Sequence, residues 1–332
     1  MACHQPLSQG RLVIPLTATD TGTRAGDPCG AYWENPNIWL QKVPSAANPN
    51  PSPTWTASAG VPYIVCVQVF NNGEVDLTNV TAEAWVCDFT MGIGPGSALA
   101  SSGLLGFITQ PTIPGGKSVV IQSGPWTPAA SDVNLNPIPN PAAPGGHEGH
   151  VCIAVNVFSN QGQSVDGQSI ANPPLGQVAL PIEPCCNCHQ GQRNILVDAQ
   201  VTGNRKPISS GHVFAFNHTE KEAEFVVKMV ERQGDKILSP AVLQQWKSGL
   251  HGKIPLHPAK THAKDFGVAG KSVSQCHQAR LKIPAKGRVP LTIHAEYHPH
   301  EPVGTIHVFE VTQEDAHGGV FGGVTFATVF IP

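Results

Sequence analysis

Two stretches of this chain alternate large apolar residues with small or polar ones: residues 63–73, YIVCVQVFNNG, and residues 150–158, HVCIAVNVF. In an extended strand successive side chains point to opposite faces, so this period of two describes strands with unlike faces. The first run ends in Asn71-Asn72-Gly73, which stops a strand with turn chemistry. Similar runs recur to the C-terminus. The expected class is all-β, built as two immunoglobulin-like β-sandwich domains with long Pro/Gly-rich loops and at most one short helix.

The punctuation divides the chain. Residues 1–30 read as an irregular lead-in, residues 31–184 as a first sandwich and residues 185–332 as a second. Strands are expected in the first at 37–40, 63–70, 80–88, 103–108, 118–122, 150–158 and 177–182. In the second they are expected at 193–201, 212–217, 224–231, 279–283, 289–296, 305–311 and 324–331. Proline at every second or third position makes 43–55 a loop, and 125–146 is a second Pro-rich loop. The one helix candidate is 239–249, with Ser239 as N-cap, Pro240 at the first helical position and Gly249 at the end. Gly318-Gly319 and Gly322-Gly323 read as a hairpin turn with bulges. The two halves look like degenerate copies of one plan.

Composition excludes several classes. Only 13% of the residues are charged, while 34 are Gly and 31 are Pro; this suits short strands joined by turns and argues against disorder. The net charge is −3 and no basic stripe is present, so a nucleic-acid partner is not expected. No apolar run approaches the ~20 residues of a membrane span. The first sixteen residues, MACHQPLSQGRLVIPL, lack the charged and long apolar regions of a signal peptide. The expectation is synthesis without a signal peptide, and a place in the cytoplasm or export as part of an assembly. Nine cysteines, an odd number in such a chain, read mainly as free thiols.

The alternation Tyr63-x-Val65-x-Val67-x-Val69-x-Asn71-x-Gly73, followed by Val80-x-Ala82-x-Ala84, resembles the bacterial cell-adhesion-related (CARDB-like) immunoglobulin-like domain. In that group a strand ends in an Asn-x-Gly turn and an alternating strand follows. Trp126-x-Pro128, Gly149-His150-x-Cys152 and Gln192-Arg193-Asn194-Ile195 resemble segments of bacterial proteins carrying such domains. The resemblance covers roughly residues 35–200. It implies a fold and a role in structure or interaction, and carries no catalytic residues to transfer. Many members of the group are secreted; the absence of a signal here points away from a plain surface adhesin and leaves room for a phage-tail-like particle.

Several constellations suggest chemistry. Cys185-Cys186-Asn187-Cys188-His189 contains C-x-x-C-H, the spacing that attaches haem c, and its thiols with the imidazole of His189 could instead hold zinc. A second C-x-x-C is missing, and the plainer reading is an interdomain turn with thiols. His147-Glu148-Gly149-His150 has the wrong spacing and a Gly/Pro-rich setting for a helical zinc motif. His294-x-Glu296-x-His298-x-His300 places four side chains on one side of a strand, ~6.5–7 Å apart at successive positions; a metal held there would need a bend or further ligands. No nucleophile elbow, P-loop or dinucleotide fingerprint is present.

If Val65, Val67 and Val69, Ala82, Ala84 and Val86, and Val151, Ile153 and Val155 fill the core, then Cys66, Cys87 and Cys152 lie on the opposite faces with Trp85. Trp85 and Cys87 then mark a covered or interacting sheet face; the alternative is that core and outer faces are interchanged. The expected function is non-enzymatic: a structural or interaction component of a larger assembly (surface, filament or particle), with protein partners or self-assembly and no cofactor. The alternatives are a metal-binding protein or metalloenzyme using Cys185, Cys188 and His189 or His294, His298 and His300, and a carbohydrate-binding module using Trp33, Trp39, Trp55 and Trp126.

Overall fold

A computed structural model describes residues 10–16, 20, 32–54, 56–58, 60–88, 93, 104–128, 149–159, 184, 188–198, 208–217, 219–232, 257–270, 273–298 and 301–329. The chain divides into two compact units. Among the described residues every regular element is a strand, as the alternation predicts. The expected helix at 239–249 and the strand at 177–182 lie outside the described residues.

The first unit contains β1 (Leu12–Val13), β2 (Ile38–Lys42), β3 (Pro53–Thr54), β4 (Thr56–Ser58), β5 (Tyr63–Asn71), β6 (Leu77–Asp88), β7 (Leu104–Ile113), β8 (Ser118–Trp126), β9 (Gly149–Phe158) and β10 (Gln190–Asp198). One sheet is centred on β5, which pairs with β1, β2 and β8, while β3 adds to β2. The other sheet runs β4-β10-β9-β6-β7. Val65, Val67 and Val69 from the first sheet meet Ala82, Ala84, Val86, Val151, Ile153 and Val155 from the second in one core. Of the two face assignments that the alternation left open, the one with these residues in the core holds. Each buried valine contributes on the order of 1.5–3 kcal/mol relative to its exposed state.

Two boundaries differ from the sequence expectation. The lead-in is not wholly irregular: Leu12 and Val13 pair with Asn71 and Phe70, and Leu12, Val13 and Ile14 are fully buried. Leu12–Val13 of its apolar run LVIPL forms a short strand, and Leu12 and Ile14 join the core. The second domain also does not begin at residue 185. β10 is antiparallel to β9 over eight residue pairs, so this strand closes the first unit. Alternation marks a strand but not which sheet accepts it, and that ambiguity misplaced the boundary.

The second unit contains β11 (Ile208–Phe216), β12 (Ala223–Arg232), β13 (His257–Pro258), β14 (Asp265–Gly270), β15 (Val273–Cys276), β16 (Gln278–Ile283), β17 (Arg288–Glu296), β18 (Thr305–Asp315) and β19 (Val320–Val329). Its sheets are β11-β17-β14-β15 and β13-β18-β12-β16, with β19 also pairing with β18. Phe225, Val227 and Met229, Leu291 and Ile293, and Phe309 and Val311 are buried. The 318–319 turn joins β18 to β19 as a hairpin, and its register shifts between Gln313 and Glu314.

The two units repeat one device. At the end of β5 the buried Asn71 donates from Nδ2 to the carbonyls of Val75 and Ile113 and accepts from the Gly73 N–H. At the end of β11 the buried Asn217 donates to the carbonyls of Lys221 and Ile283 and accepts from the Thr219 N–H. The backbone N–H of Asn71 bonds to Lys117 O, and that of Asn217 to Gly287 O. The turns 114–117 and 284–287 each carry a left-handed third residue, Gly116 at φ 67° and Lys286 at φ 52°. In this register β5, β6, β7, β8, β9 and β10 correspond to β11, β12, β16, β17, β18 and β19. The degenerate copies expected from the sequence thus align on a pair of side-chain clamps.

Candidate functional site: buried polar groups of the two units

In the first unit, the face of β6 and β9 turned away from the core carries Glu83, Trp85, Cys87, Cys152 and Asn156. All five are at most 5% exposed. Cys87 stands opposite Cys152, and Cys152 opposite Asn194. The Cys152 thiol donates to Asn194 Oδ1 at 3.1 Å. Trp85 and Cys87, expected as a covered or interacting face, are covered within this chain and present no exposed patch. Burial pushes the Glu83 carboxyl up to about 7, against the effect of the Asn156 side chain. On the other sheet Cys66 is also buried, beside Gln41 and Gln122, and burial raises its thiol to about 11. A thiol so protonated is a poor nucleophile.

The second unit holds a denser arrangement. At the end of β12, Glu231 Oε1 lies 2.7 Å from His307 Nδ1. Its Oε2 accepts from the Ala263 N–H at 2.9 Å and lies 3.0 Å from His262 Nδ1. Burial acts to raise the Glu231 carboxyl, but hydrogen bonds from His307, Ala263 and His262 and the charge of His307 outweigh it, so the group sits below the usual carboxylate range. His307, with no side-chain exposure, turns Nε2 toward Glu301 Oε1 at 3.5 Å. Its ring packs against Tyr297 at 4.7 Å between centroids. The row is Glu231, His307, Glu301.

Glu301 opens onto a cavity of about 680 Å³, lined also by His257, Pro258, Lys260, Thr261, His298, Pro302 and Thr305. The site exists because β12 ends at Arg232, opposite Val308, while β13 pairs with Thr305 and Ile306 farther down the same strand. The segment that follows β13 delivers His262 and Ala263 to Glu231. Nothing local in the sequence joins residues 231, 262, 301 and 307. The one available signal was a Glu and a His at apolar-patterned strand positions, which a buried pair requires.

The predicted metal residues are dispersed. Cys188 is disulfide-bonded and offers no thiolate, while Cys66, Cys87, Cys152 and Cys276 are free thiols. His189 is buried; Cys185 lies outside the described residues. His294 and Glu296 lie on β17, and Glu296 pairs with Lys264 at 2.5 Å. His298 follows the strand, exposed at the cavity, and His300 lies outside the described residues. Among the described residues no three His, Cys, Asp or Glu side chains converge on a point suited to a metal ion. Of the tryptophans proposed for sugar stacking, Trp33 and Trp126 are buried and offer no ring face; Trp39 is half-buried, and Trp55 lies outside the described residues. Among the described residues no helix is long and apolar enough to cross a membrane.

No protein-family model matches the chain, and no curated protein matches it. Solved structures do. The crystal structure of the CARDB domain of the PF1109 protein from Pyrococcus furiosus, in complex with di-metal ions, is 11% identical, with a TM-score of 0.24 over 49% of this chain and 84% of that one. The solution structure of the same domain is 10% identical, with a TM-score of 0.23 over 51% of this chain and 99% of that one. Red sea bream transglutaminase is 10% identical, with a TM-score of 0.22 over 89% of this chain and 31% of its own length. At these identities and scores the similarity is one of β-rich fold and says nothing of activity.

Proposed function

We propose that this chain is a non-catalytic structural and interaction protein, a component of a larger assembly whose sheet edges dock a neighbouring chain. The observation that carries this reading is the open side of β8. Among the described residues this strand pairs with β5 alone. The Gln68 N–H bonds to Asn37 O on the far side of β5, so Gln68 and its partner Val120 form a non-hydrogen-bonded pair. The N–H and C=O of Val120 therefore point away from β5, and its side chain is 39% exposed. An unpaired edge with an exposed β-branched residue accepts an added strand.

Multi-angle light scattering on the purified full chain tests this. The wild type is expected as an oligomer at micromolar concentration. Val120→Pro removes an outward N–H that β5 does not use, so it should weaken association by roughly tenfold or more while the circular dichroism spectrum is kept. A monomeric wild type, or a variant that assembles equally well, overturns the reading.

A further inference from the structure

A nearly buried carboxylate, Glu301, lines the cavity of the second unit. The Glu301 side chain is only 6% exposed. Its Oε1 and the facing His307 Nε2 lie 3.5 Å apart, and neither makes a hydrogen bond. His307 Nδ1 is committed to Glu231, an ionised acceptor, so Nδ1 carries a proton. A proton on Nε2 makes this contact an ion pair, and the row Glu231, His307, Glu301 then sets two carboxylates against one cation, leaving a net negative charge beside the cavity. The other polar groups of the wall are engaged or peripheral. His257 Nε2 and Thr305 Oγ1 lie 3.1 Å apart and satisfy each other; Lys260, Thr261 and His298 are exposed. Pro258 and Pro302 supply apolar wall.

We propose that this cavity binds an organic cation, an ammonium or guanidinium group on an aliphatic chain, with Glu301 as the acceptor and the two prolines against the chain. A charge-assisted hydrogen bond to a desolvated carboxylate is the strongest contact such a wall can offer. His307, fixed by Glu231, holds the Glu301 carboxylate from behind and is a positioning residue. The lack of three converging ligands at one point among the described residues favours this ligand over a metal ion. The same chemistry is carried by a free amine and by a lysine or arginine side chain.

The test is a titration of the full chain with n-butylammonium, n-butylguanidinium and Nα-acetyl-lysine N-methylamide, with n-butanol as the neutral control, read from the imidazole NMR signals of His257 and His298. The cations should give saturable shifts and n-butanol none. A capped lysine that binds more tightly than n-butylammonium identifies a side chain as the natural source; the reverse order identifies a free amine. Glu301→Gln should weaken binding by roughly tenfold or more at an unchanged melting temperature. Lys260→Gln, at an exposed position, should strengthen it about twofold by removing a like charge. Equal shifts from n-butanol, or undiminished binding by a folded Glu301→Gln protein, overturn the proposal; if that variant does not fold, a Lys260→Gln protein with unaltered affinity does so. Zinc ions shifting the same signals while the cations do not would also overturn it.

Discussion

The outer faces of two corresponding sheets meet opposite fates. On β12, β16 and β18 the face turned from the core is a ladder of partly exposed ion pairs: Lys228 with Glu314, Arg232 with Glu310 and Arg280 with Glu224. On β6, β9 and β10 the same face carries Glu83, Trp85, Cys87, Cys152, Asn156 and Gln192, all buried. The pairing of β6 with β7 and β9 and of β9 with β10 is matched by that of β12 with β16 and β18 and of β18 with β19. What differs is side-chain chemistry: alternating full charges keep a face in water, while thiols, amides and one indole allow it to be covered. Coverage has a cost, since both Glu83 oxygens, Trp85 Nε1, Asn156 Oδ1, Gln192 Oε1 and Asn194 Nδ2 lack hydrogen bonds of good geometry. Such groups ordinarily find a partner or an ordered water.

The largest effects should fall where the two units agree. Asn71→Ala strands two carbonyls and the N–H groups of Arg11 and Gly73, and should cost about 3 kcal/mol. Asn217→Ala strands the carbonyls of Lys221 and Ile283 and the Thr219 N–H, and should cost a similar amount, about 3 kcal/mol. Urea unfolding of both variants measures this. A large loss for one and a negligible loss for the other would break the correspondence between the units.

The next effect should separate them. The Glu83 carboxyl is raised from 4.5 to about 7 in the folded chain. The folded state therefore holds a proton that the unfolded chain releases, and the associated stability is fully present below pH ~4.5, declines as pH rises and is lost above ~7. Glu83→Gln should remove this slope and raise stability at pH 8 by about 2 kcal/mol. The difference in urea midpoint between variant and wild type across pH 4.5–8 reads it directly. A difference that does not change with pH would show that water reaches Glu83 and that the two outer faces are more alike than their burial indicates.

How far the sequence could be read follows the same division. The valines of β5 and the alanines of β6 declared their face, because alternation is a local signal and the core answers to it. Cys66, Cys87 and Cys152 lie outside that core, one of the two placements the alternation allowed, and alternation cannot say whether an outer face is wet. The Asn71 clamp was visible only as a turn, since its partner Ile113 is 42 residues away. The short strands β13, β14 and β15 carried too little alternation to be found. Glu231, His307 and Glu301 come together only after β12 has stopped and β13 has replaced it, a tertiary event with no local signature. The His294, His298 and His300 row drew notice instead because its spacing is visible in one line of sequence.

A smaller difference sits in the matched turns. Gly116 and Lys286 occupy the same left-handed position, where a side chain costs about 1 kcal/mol and glycine almost nothing. Lys286→Gly should stabilise the second unit by up to about 1 kcal/mol, less whatever the exposed pair with Glu220 at 2.8 Å contributes. Gly116→Lys should destabilise the first by about 1 kcal/mol. Opposite signs from the reciprocal exchange, measured as shifts in urea midpoint, would confirm that the turns are equivalent backbone structures; equal signs would show that the local packing around each turn outweighs its φ.

The smallest effect is expected at the ion ladder itself. Lys228→Ala removes the contact to Glu314, whose partners are 37% and 15% exposed. An exposed pair of this kind contributes about 0.2–1 kcal/mol, and less in high salt. The variant should therefore unfold within about 0.5 kcal/mol of the wild type. Lys228→Leu sharpens the point: it makes the face apolar without altering the ladder of β12 with β16 and β18. If charge is what keeps this face in water, Lys228→Leu should keep its stability while increasing the concentration dependence of its light scattering relative to Lys228→Ala. Identical scattering from the two variants would mean that strand geometry, rather than the charges, prevents this face from being covered.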